Sequence, residues 1–588
     1  MPVVGWDSEY NTADGHYVPI SDQLFCLHCD KAYFLPHLNR QISLENLFTE
    51  YFMEHPDQTN IRLVCHYDKA ELMGLEEGSQ ILFEENANFV AVQKGLFGEF
   101  KKTILGAERT FHLSDTYLLF PASLEKLGEL IGITKLASHH YREQGEMLAW
   151  YHQDQEEFEQ YAVRDAEITA KGYQAIRDKL SQYGLPMRNT VGSIYENYAA
   201  PQIKARDYGS QGYKLNRKWD PRRKFYRERL EPRALAQDFE RSYFGGRNEL
   251  FGRGRFPGDV YDYDLVSAYG SVMENLPHWD FNAAQSVWDP KKLYSYLTEN
   301  PTALGQFRIT FKFHDSIEYP ALPVPIDGNL IFPLQGDTVC TAQEFLVSYP
   351  MLESCEVHGR YFHPMGPGAI ADITRSLVQK RREARSAGDK FGDALLKIVI
   401  NSGYGKTGQG LRHKRSTDLE NSTKERVVTS EIPPSKITNP AIAGFITGFV
   451  RGVIGELLNY LHDHGVQVLC TTTDGFTTRG QIPEEALSGV GPLSRWLYQQ
   501  TGQPILELKH EGRVFTGIKT RVYAMSFAKP DRLLASAAGV NRKGCGETPQ
   551  LKSLWMTREV NNLYQFKYTT YRSETLPSLR DWILRALL

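Results

Sequence analysis

Two pairs of acidic residues, each separated by one position, could bind metal ions. Asp7 and Glu9 lie in GWDSEYN, and Asp262 and Asp264 lie in VYDYDLV. The flanking apolar residues predict β-strands, and residues i and i+2 of a strand project from the same face. Carboxylate oxygens are the ligands that Mg²⁺ and Mn²⁺ prefer. The sequence therefore predicts two separate sites at which paired carboxylates bind divalent cations.

Further residues could complete the first site. Asp68 and Glu71 follow the apolar run RLVC, and either could supply an additional carboxylate. Tyr161 and Asp165 are four residues apart, so they share one face of a predicted helix. Asp165 could equally be an ordinary exposed helix residue. Two metal ions about 3.5–4 Å apart activate water and stabilise the leaving oxygen in phosphodiester cleavage.

Asp474, in CTTTDGF, is the residue most able to complete the second site. It follows the apolar run VQVL and precedes TTRG, so the pattern predicts a hairpin with its turn at Asp474 and Gly475. An aspartate there is either a turn residue or a metal ligand that acts with Asp264.

A polar stripe on a predicted helix could bind a nucleotide. Lys397, Asn401 and Tyr404, in LKIVINSGYGKTG, have the i, i+4, i+7 spacing of one helical face. An ammonium group, an amide and an aromatic ring can contact a triphosphate, a sugar and a base. The alternative is an amphipathic helix whose polar stripe faces water and whose residues 398–400 face the core.

The elements that must position these residues differ along the chain. Residues 1 to about 180 alternate short apolar strands with helices, which is an α/β pattern. A basic, Pro- and Arg-rich passage follows and is typical of a linker or an extended surface element. Two long helices are predicted next, one interrupted around SAGDKFG and one that ends at Gly465. The polar segment between them predicts an insertion with one hairpin.

The composition is that of an ordinary globular protein, with 41% hydrophobic and 23% charged residues. At 588 residues the chain is too long for a single core, so several domains are expected. No stretch approaches the roughly 18 uninterrupted apolar residues of a membrane span. The N-terminus lacks the features of a signal peptide. We therefore expect a cytoplasmic monomer that has no membrane partner.

The net charge of −4 argues at first against a polyanionic partner, but three segments of the chain are strongly basic. These are 214–233, 380–385 and 412–415. Each alone could be a solvated face. Together, beside the acidic sites, they favour a groove that binds phosphates.

Cys26 and Cys29, in FCLHC, form a C-x-x-C pair that could begin a zinc site. No second pair follows at the spacing of a zinc finger. We therefore expect two ordinary half-buried thiols here.

The N-terminal residues resemble the DEDD-type 3′→5′ exonucleases, including the proofreading domains of DNA polymerases. The resemblance rests on the order D-x-E, H-x-x-x-x-[DE], Y-x-x-x-D. It implies that Asp7, Glu9 and Asp165 bind two metal ions and that Tyr161 orients the attacking water. The middle acid stays open between Asp68 and Glu71.

The later segments resemble the motifs of family B DNA polymerases, in the expected order. The matches are Tyr243, Gly245 and Gly246 (Y-x-G-G), Asp264, Ser267 and Tyr269 (motif A), Lys397, Asn401, Ser402, Tyr404 and Gly405 (motif B), Asp474 (motif C), and Lys519, Arg521 and Tyr523 (K-x-Y). Motif B is the most specific of these. The resemblance covers nearly the whole chain.

The resemblance implies a role for each residue. Asp264 and Asp474 would bind two Mg²⁺ or Mn²⁺ ions, and Lys397 would hold the phosphates of the incoming dNTP. Tyr269 would exclude a ribose 2′-hydroxyl, while Asn401 and Tyr404 would shape the nascent base pair. The remaining matches would bind DNA: Arg521, Tyr523 and Lys519 the primer strand, and Tyr243, Gly245 and Gly246 the template.

Three positions depart from the family pattern. Thr472 replaces the first acid of motif C, Gly475 replaces its usual serine, and Gly270 replaces the proline of motif A. We hypothesise that Asp262, on the same strand face as Asp264, supplies part of the negative charge that Thr472 lacks.

The expected fold class is multidomain, α/β and α+β, with an RNase H-like exonuclease domain followed by a right-hand polymerase. The expected units are the exonuclease domain (1–185), a basic linker (186–240), the first part of the palm with an insertion (241–372), the fingers with a second insertion (373–438), the second part of the palm (439–525) and the thumb (526–588).

The length and order of the chain are similar to those of the protein-primed branch, which replicates linear phage and plasmid genomes and related mobile elements. Primer–template DNA and single-stranded DNA are the expected partners, with a terminal protein if priming uses one. In that branch the insertions, here about 280–370 and 408–438, bind the terminal protein and encircle DNA. Initiation without a primer is also open. The alternatives are an exonuclease whose polymerase half only binds nucleic acid, and a non-enzymatic scaffold.

Overall fold

The structure is a computed structural model, and it describes most of the chain. The described ranges are 1–13, 16–83, 87–92, 95–136, 147–205, 213–220, 225–232, 238–280, 283–411, 414–419, 421–422, 426–527 and 533–537. The expected thumb, 526–588, lies outside the described residues except for 526–527 and 533–537.

The N-terminal part of the chain contains seven strands and eight helices within the described ranges. The strands are β1 (Val3–Ala13), β2 (His16–Cys26), β3 (Lys31–Pro36), β4 (Asn60–Cys65), β5 (Asn88–Ala91), β6 (Leu96–Ile104) and β7 (Ala107–Asp115). The helices are α1 (Leu44–Glu54), α2 (Lys69–Gly74), α3 (Gly78–Ile81), α4 (Thr116–Leu119), α5 (Leu124–Ile131), α6 (Met147–Gln153), α7 (Gln155–Gln182) and α8 (Val191–Ala205).

These seven strands form one mixed sheet in the order β3-β2-β1-β4-β7-β6-β5. Strands β1, β4 and β7 run parallel, and the other pairs are antiparallel. The long helix α7 packs on β1 and β2. Gly5 allows this close packing, because a Cβ there would lie 2.2 Å from the carbonyl oxygen of Ala166. The approach brings the acids of β1 next to those of α7.

The rest of the chain begins with a two-stranded hairpin and continues into a larger mixed unit. Its strands are β8 (Tyr213–Asp220), β9 (Phe225–Pro232), β10 (Arg247–Leu250), β11 (Gly254–Leu265), β12 (Pro277–Trp279), β13 (Gln285–Val287), β14 (Leu304–Phe313), β15 (Val324–Ile326), β16 (Asn329–Ile331), β17 (Gln335–Thr341), β18 (Leu352–Phe362), β19 (Pro364–Pro367), β20 (Arg415–Thr417), β21 (Thr429–Glu431), β22 (Gln467–Thr473), β23 (Gly475–Arg479), β24 (Leu506–Lys519), β25 (Val522–Phe527) and β26 (Leu533–Ala537). Its helices are α9 (Ala268–Glu274), α10 (Pro290–Glu299), α11 (Ala342–Ser348), α12 (Ala369–Ser386), α13 (Lys390–Thr407), α14 (Pro440–Asp463) and α15 (Pro492–Thr501). Two short 3₁₀ helices span Tyr349–Met351 and Glu484–Ser488.

A second seven-stranded sheet carries the predicted motif A strand with Asp264, the hairpin of Asp474, and Lys519 and Tyr523 of the K-x-Y segment. Its order is β10-β22-β23-β11-β24-β25-β26, and all its neighbours are antiparallel. The segment expected as the first insertion contains a separate four-stranded sheet, β13-β18-β14-β17. The second contains the predicted hairpin, β20 and β21. Leu419, which follows β20, packs into the core of the N-terminal sheet.

Helix α14 is the centre of the larger core. Asn439 begins it by accepting hydrogen bonds from the backbone N–H groups of Ala441 and Ile442, and Pro440 occupies the first turn. It ends before Gly465, whose φ is 72°, as predicted. Within the described part of the chain it is the single helix long and apolar enough to cross a membrane, and its most apolar window is completely buried in protein. Its apolar character is therefore that of a core helix.

Part of the expected basic linker is packed structure. Residues 191–205 form helix α8, in which Ile194 and Tyr195 are completely buried. Thr190 caps the helix by accepting the N–H of Ser193. The linker prediction was wrong here because the apolar residues of this helix pack against α13, which lies far away in sequence. Residues 214–220 and 225–232 of the basic stretch lie in the paired strands β8 and β9; their side chains lie outside the described part of the structure.

Candidate active sites

The first predicted site is present as a cluster of carboxylates. Asp7 and Glu9 on β1 and Asp165 on α7 each place one oxygen within 4.8 Å of the others. Gln23, on the neighbouring strand β2, donates a 2.7 Å hydrogen bond to Asp7. Helix α7 packs on strand β1, so the strand face with Asp7 and Glu9 lies against the helix face with Asp165.

The electrostatics of this cluster favour a bound cation. Burial raises the pKa of Asp7 and of Glu9 well above the ordinary value, and the nearby carboxylates raise both further. One oxygen of Asp165 is buried without a hydrogen-bond partner. Buried carboxylates this close cannot all be ionised without a compensating positive charge. Oxygen ligands in this arrangement fit hard divalent cations such as Mg²⁺ or Mn²⁺.

The two candidates for the middle acid have different surroundings. Both oxygens of Asp68 accept a hydrogen bond from the backbone N–H of Leu96. Glu71 has one buried oxygen without a hydrogen-bond partner. Burial is the main cause that raises the pKa of Glu71, and the charge of Asp7 is the next. Glu71 therefore faces the cluster, whereas Asp68 is held by the backbone.

Lys135 is a member of this site that the sequence analysis missed. Its ammonium group forms an ion pair with Asp165. The same group lies 5.1 Å from the centre of the Tyr161 ring. The charge of Glu9 and burial raise the pKa of the Tyr161 hydroxyl, which places Tyr161 beside the acids. No sequence pattern marks Lys135, which follows α5 and is brought to the site by the packing of α5 on α7.

The second predicted site lies where β11 meets the β22–β23 hairpin. Asp264 on β11 pairs with Gly475, and the N–H of Leu265 donates to the carbonyl of Asp474 at 2.8 Å. A Cβ at Gly475 would lie 2.1 Å from a carboxylate oxygen of Asp264. The glycine in place of the usual serine therefore leaves room for the Asp264 carboxylate.

The hairpin turn differs by one residue from the prediction. Thr472 pairs with Gly475, so Thr473 and Asp474 are the two central residues. Thr473 has a φ of 66°, a left-handed conformation that β-branched residues seldom adopt. Gly475, which was predicted in the turn, instead pairs with Thr472 and packs closely against Asp264.

Asp264 and Asp474 interact electrostatically. Burial raises the pKa of each, and the negative charge of Asp264 raises that of Asp474 further. Burial also raises the pKa of Asp262 to about 6. Asp262 accepts a 3.0 Å hydrogen bond from the Thr477 hydroxyl. Like the first site, this site offers carboxylate oxygens, which fit hard divalent cations such as Mg²⁺ or Mn²⁺.

The predicted nucleotide stripe lies on helix α13. Lys397 and Asn401 are exposed, while Val399 and Ile400 are buried in the core. The Tyr404 ring stacks on the ring of Tyr269, the motif A residue that lies at the start of α9. The stripe and the Asp264 strand are thus joined by an aromatic contact.

The loop of the Y-x-G-G segment contacts Arg451 and the turn that carries Asp474. Arg451 on α14 donates hydrogen bonds from Nη1 to the carbonyl oxygens of Phe244 and Gly245, at 2.9 and 2.6 Å. A Cβ at Gly246 would lie 2.5 Å from a methyl carbon of Thr473. The glycine at 246 therefore allows contact with the motif C turn. Tyr243 has a hydrogen bond with the Tyr404 hydroxyl.

Asn248 connects three of the predicted motifs and was also missed. Its side-chain oxygen accepts from Arg521 Nε at 3.0 Å, and its side-chain nitrogen donates to the carbonyl of Gly246 at 3.0 Å. Tyr523 is buried, whereas Lys519 is exposed. The DNA-binding roles of these residues stay predictions.

The basic segment 380–385 is largely engaged within the protein. Arg381 and Arg385 contact Asp393, Arg382 contacts Glu274, and Lys380 donates to a backbone carbonyl. These contacts place α12 and α13 relative to each other. Residues 412 and 413 of the third basic segment lie outside the described ranges.

Comparison of the sequence with known proteins gives several matches. Residues 224–439 match the family described as DNA polymerase type B, organellar and viral. The chain is 30% identical over 441 residues to the primer-independent DNA polymerase PolB of Escherichia coli, which covers 69% of this chain and 49% of that protein. It is 27% identical over 203 residues to the DNA-directed DNA polymerase of Enterobacteria phage PRD1, which covers 32% of this chain and 31% of that protein. The chain spans about half the length, or less, of these curated relatives.

Comparison of the fold gives matches across almost the whole chain. Phi29 DNA polymerase complexed with primer-template DNA and incoming nucleotides has a TM-score of 0.62 at 14% identity, and 93% of each chain is covered. Phi29 DNA polymerase complexed with single-stranded DNA has a TM-score of 0.60 at 14% identity, with 93% of this chain and 94% of that chain covered. These matches confirm the predicted multidomain α/β and α+β fold class.

Proposed function

We propose that this chain, which belongs to the family B DNA polymerases of the protein-primed type, adds dNTPs to a 3′-hydroxyl end by two-metal phosphoryl transfer. The observation that carries the proposal is the position of Asp264 and Asp474 at one strand–hairpin junction. The nucleotide stripe of α13 is attached there through Tyr269 and Tyr404. A pair of carboxylates beside a basic and aromatic helix face is the arrangement that phosphoryl transfer to a nucleic acid end requires.

Each residue then has a defined role. Asp264 and Asp474 would hold two Mg²⁺ or Mn²⁺ ions, which when bound activate the 3′-hydroxyl and neutralise the triphosphate. Lys397 is exposed, so its ammonium group can bind the phosphates of the incoming nucleotide. Tyr269 presents its ring beside the metal-binding strand and would exclude a ribose 2′-hydroxyl.

We further propose that the first carboxylate cluster is a 3′→5′ proofreading exonuclease. Asp7, Glu9 and Asp165 would bind two divalent ions, and Glu71 would be the fourth acid. Tyr161 would orient the attacking water, with Lys135 stabilising negative charge beside it. The cluster supports this role because its crowded, buried carboxylates need cationic charge.

The replacement of the first motif C acid by Thr472 is offset, we infer, by Asp262. Asp262 and Asp264 lie on one face of β11, and burial raises the pKa of both. If Asp262 supplies the missing charge, Asp262→Asn requires more Mg²⁺ for half-maximal extension than the parent does. Identical Mg²⁺ curves would exclude this role.

The partners proposed for this chain are primer–template DNA and single-stranded DNA, and the biological role is replication of a mobile or phage-like element. A terminal protein would bind if priming uses one. The name of the relative PolB describes it as primer-independent, so initiation without a primer is the second candidate. Extension of an unprimed single-stranded template, with and without an added terminal protein, distinguishes the two modes.

The experiment that tests both activities uses one labelled primer–template and one labelled single strand. The parent should extend the first in the presence of dNTPs and Mg²⁺, and shorten the second without dNTPs. Asp264→Asn should lose extension and keep shortening, whereas Asp165→Asn should do the reverse. Shortening without extension by the parent would favour the alternative of a nuclease with a polymerase half that only binds nucleic acid.

A further inference from the structure

Two cysteines and one histidine of the N-terminal unit converge away from both carboxylate sites. Cys26 ends strand β2, Cys29 lies in the turn before β3, and His55 follows helix α1. One ligand atom from each lies within 4.8 Å of the other two. The sequence pattern indicated only the two cysteines. His55 is brought to them by the packing of α1 against β3.

This donor set is chemically specific. Two thiolates and an imidazole are the ligands that select Zn²⁺, whereas Mg²⁺ and Mn²⁺ prefer oxygen. Zn–S bonds of about 2.3 Å and Zn–N bonds of about 2.0–2.1 Å place tetrahedral ligand atoms roughly 3.5–3.8 Å apart. Side-chain adjustments of about an ångström bring the observed group into that range.

The surroundings of Cys26 support a metal-bound thiolate. The backbone N–H groups of His28 and Cys29 donate to its sulfur, and the Tyr51 side chain also has a hydrogen bond with it. Such donors orient the sulfur, as is usual around metal-bound cysteine. Asp30 completes the turn with a φ of 53°, a conformation that returns the chain to β3 directly after Cys29.

His55 is also held in place. Its backbone N–H donates to the carbonyl of Tyr51, its ring lies 4.8 Å from the Tyr51 ring, and its Nε2 is 3.5 Å from the Tyr33 hydroxyl. Glu54, the neighbouring acid, is engaged by Lys31 and by the Tyr33 hydroxyl. The Glu54 carboxylate is thus engaged elsewhere, and the three donors lie close enough together to share one ion.

We propose that Cys26, Cys29 and His55 bind one Zn²⁺ ion, with a water molecule as the fourth ligand. The ion ties the β2–β3 turn to the C-terminal end of α1. Strand β2 also carries Gln23, which contacts Asp7 of the carboxylate cluster, so the ion secures the strand behind that cluster. The proposed role is to hold these elements together, because none of the three ligands belongs to the carboxylate cluster.

The test measures metal content and does not depend on either enzymatic activity. The parent, Cys29→Ser, His55→Asn and Cys355→Ser are produced in zinc-supplemented medium and dialysed against Mg²⁺ buffer that is free of zinc. Zinc per chain is then measured by mass spectrometry of the metal. Cys355→Ser is the matched control, because this half-buried thiol lies on β18 outside the cluster.

We expect one zinc ion per chain in the parent and in Cys355→Ser, and roughly tenfold less or lower in the other two variants. Cys29 is exposed, so Cys29→Ser should fold, which the far-ultraviolet circular dichroism spectrum checks. Replacement of zinc by Co²⁺ should give a thiolate-to-cobalt charge-transfer band in the parent that Cys29→Ser lacks. A parent without zinc, equal zinc in all four proteins, or a parent mass showing a disulfide between Cys26 and Cys29 would each overturn the proposal.

Discussion

The ring of Tyr269 stacks on the ring of Tyr404, with centroids 4.4 Å apart and planes inclined by 9°. Tyr269 follows the strand that carries Asp264, and Tyr404 lies on the helix that carries Lys397. The pair therefore sets the distance between the proposed metal site and the proposed nucleotide stripe. Under the proposed function, the sugar of the incoming nucleotide would meet the Tyr269 ring.

The first prediction concerns sugar selection. Tyr269→Ala removes the ring that would exclude a 2′-hydroxyl, so the ratio of ribonucleotide to deoxynucleotide incorporation should rise, by roughly tenfold or more. Single-nucleotide incorporation kinetics with dNTP and rNTP measure this ratio. Tyr269→Phe keeps the stacked ring and should leave the ratio close to that of the parent. An unchanged ratio in Tyr269→Ala would show that another residue excludes ribose.

The second prediction concerns the buried ion pair between Arg451 and Glu344. Both side chains are completely buried, and Arg451 Nε donates to Glu344 at 2.6 Å while its Nη1 holds the Y-x-G-G loop. Arg451→Met leaves the Glu344 charge buried and unpaired, so the free energy of unfolding should fall by about 3–5 kcal/mol. Urea unfolding followed by circular dichroism measures the change.

The matched control is the exposed pair between Arg513 and Asp259, for which Arg513→Met should cost less than about 1 kcal/mol. Equal losses in the two variants would show that burial of the Arg451 pair has no energetic consequence.

The third prediction separates Glu71 from Asp68. Because Glu71 faces the carboxylate cluster, Glu71→Gln should lower the rate of single-strand shortening by roughly a hundredfold or more. Asp68→Asn should lower it less, since Asp68 is bound to the Leu96 backbone. Both variants should keep primer extension, which serves as the control for folding. A larger loss in Asp68→Asn would assign the metal-binding role to Asp68.

The fourth prediction concerns pH. Burial raises the pKa of Glu456 from the ordinary 4.5 to about 7, although its oxygens accept the N–H groups of Leu493 and Ser494. A carboxyl group whose pKa is raised in the folded state binds its proton more tightly there. Its contribution to stability is therefore full below the unfolded pKa and is lost as the pH rises through the folded pKa.

The free energy of unfolding should thus fall between about pH 4.5 and pH 7, with up to about 3 kcal/mol of the fall due to Glu456. Glu456→Gln has no titrating group at this position, so its unfolding free energy should depend less on pH over the same range. Parallel pH profiles for the two proteins would exclude Glu456 as a source of the dependence.

The sequence predicted those features that depend on local pattern. The strand of Asp264, the helix of Tyr404 and the end of α14 at Gly465 follow from alternation, helical spacing and a C-terminal glycine. The face shared by Asp7 and Glu9 follows from the period of a strand. The family motifs added the pairing of Asp264 with Asp474, which no local pattern contains.

The remaining features depend on contacts between residues distant in sequence. Lys135 and Asn248 lie in segments without a periodic pattern, and only packing brings them to the two sites. The third ligand of the proposed zinc site, His55, is likewise supplied by a helix end. Gly246 was interpreted as a position that approaches the template, whereas its nearest neighbour is Thr473. Helix α8 was not predicted, because the basic composition of the residues that follow it indicated a linker.

The central claim is that Asp474 is a metal ligand of a working polymerase although Thr472 replaces the usual first acid. The most direct test compares extension of a labelled primer–template by the parent, Asp474→Asn and Asp7→Asn, with dNTPs and either Mg²⁺ or Mn²⁺. The account predicts extension by the parent and by Asp7→Asn, and a loss of roughly a thousandfold or more in Asp474→Asn, which still shortens single strands. Extension by Asp474→Asn at the rate of the parent would contradict the assignment of Asp474.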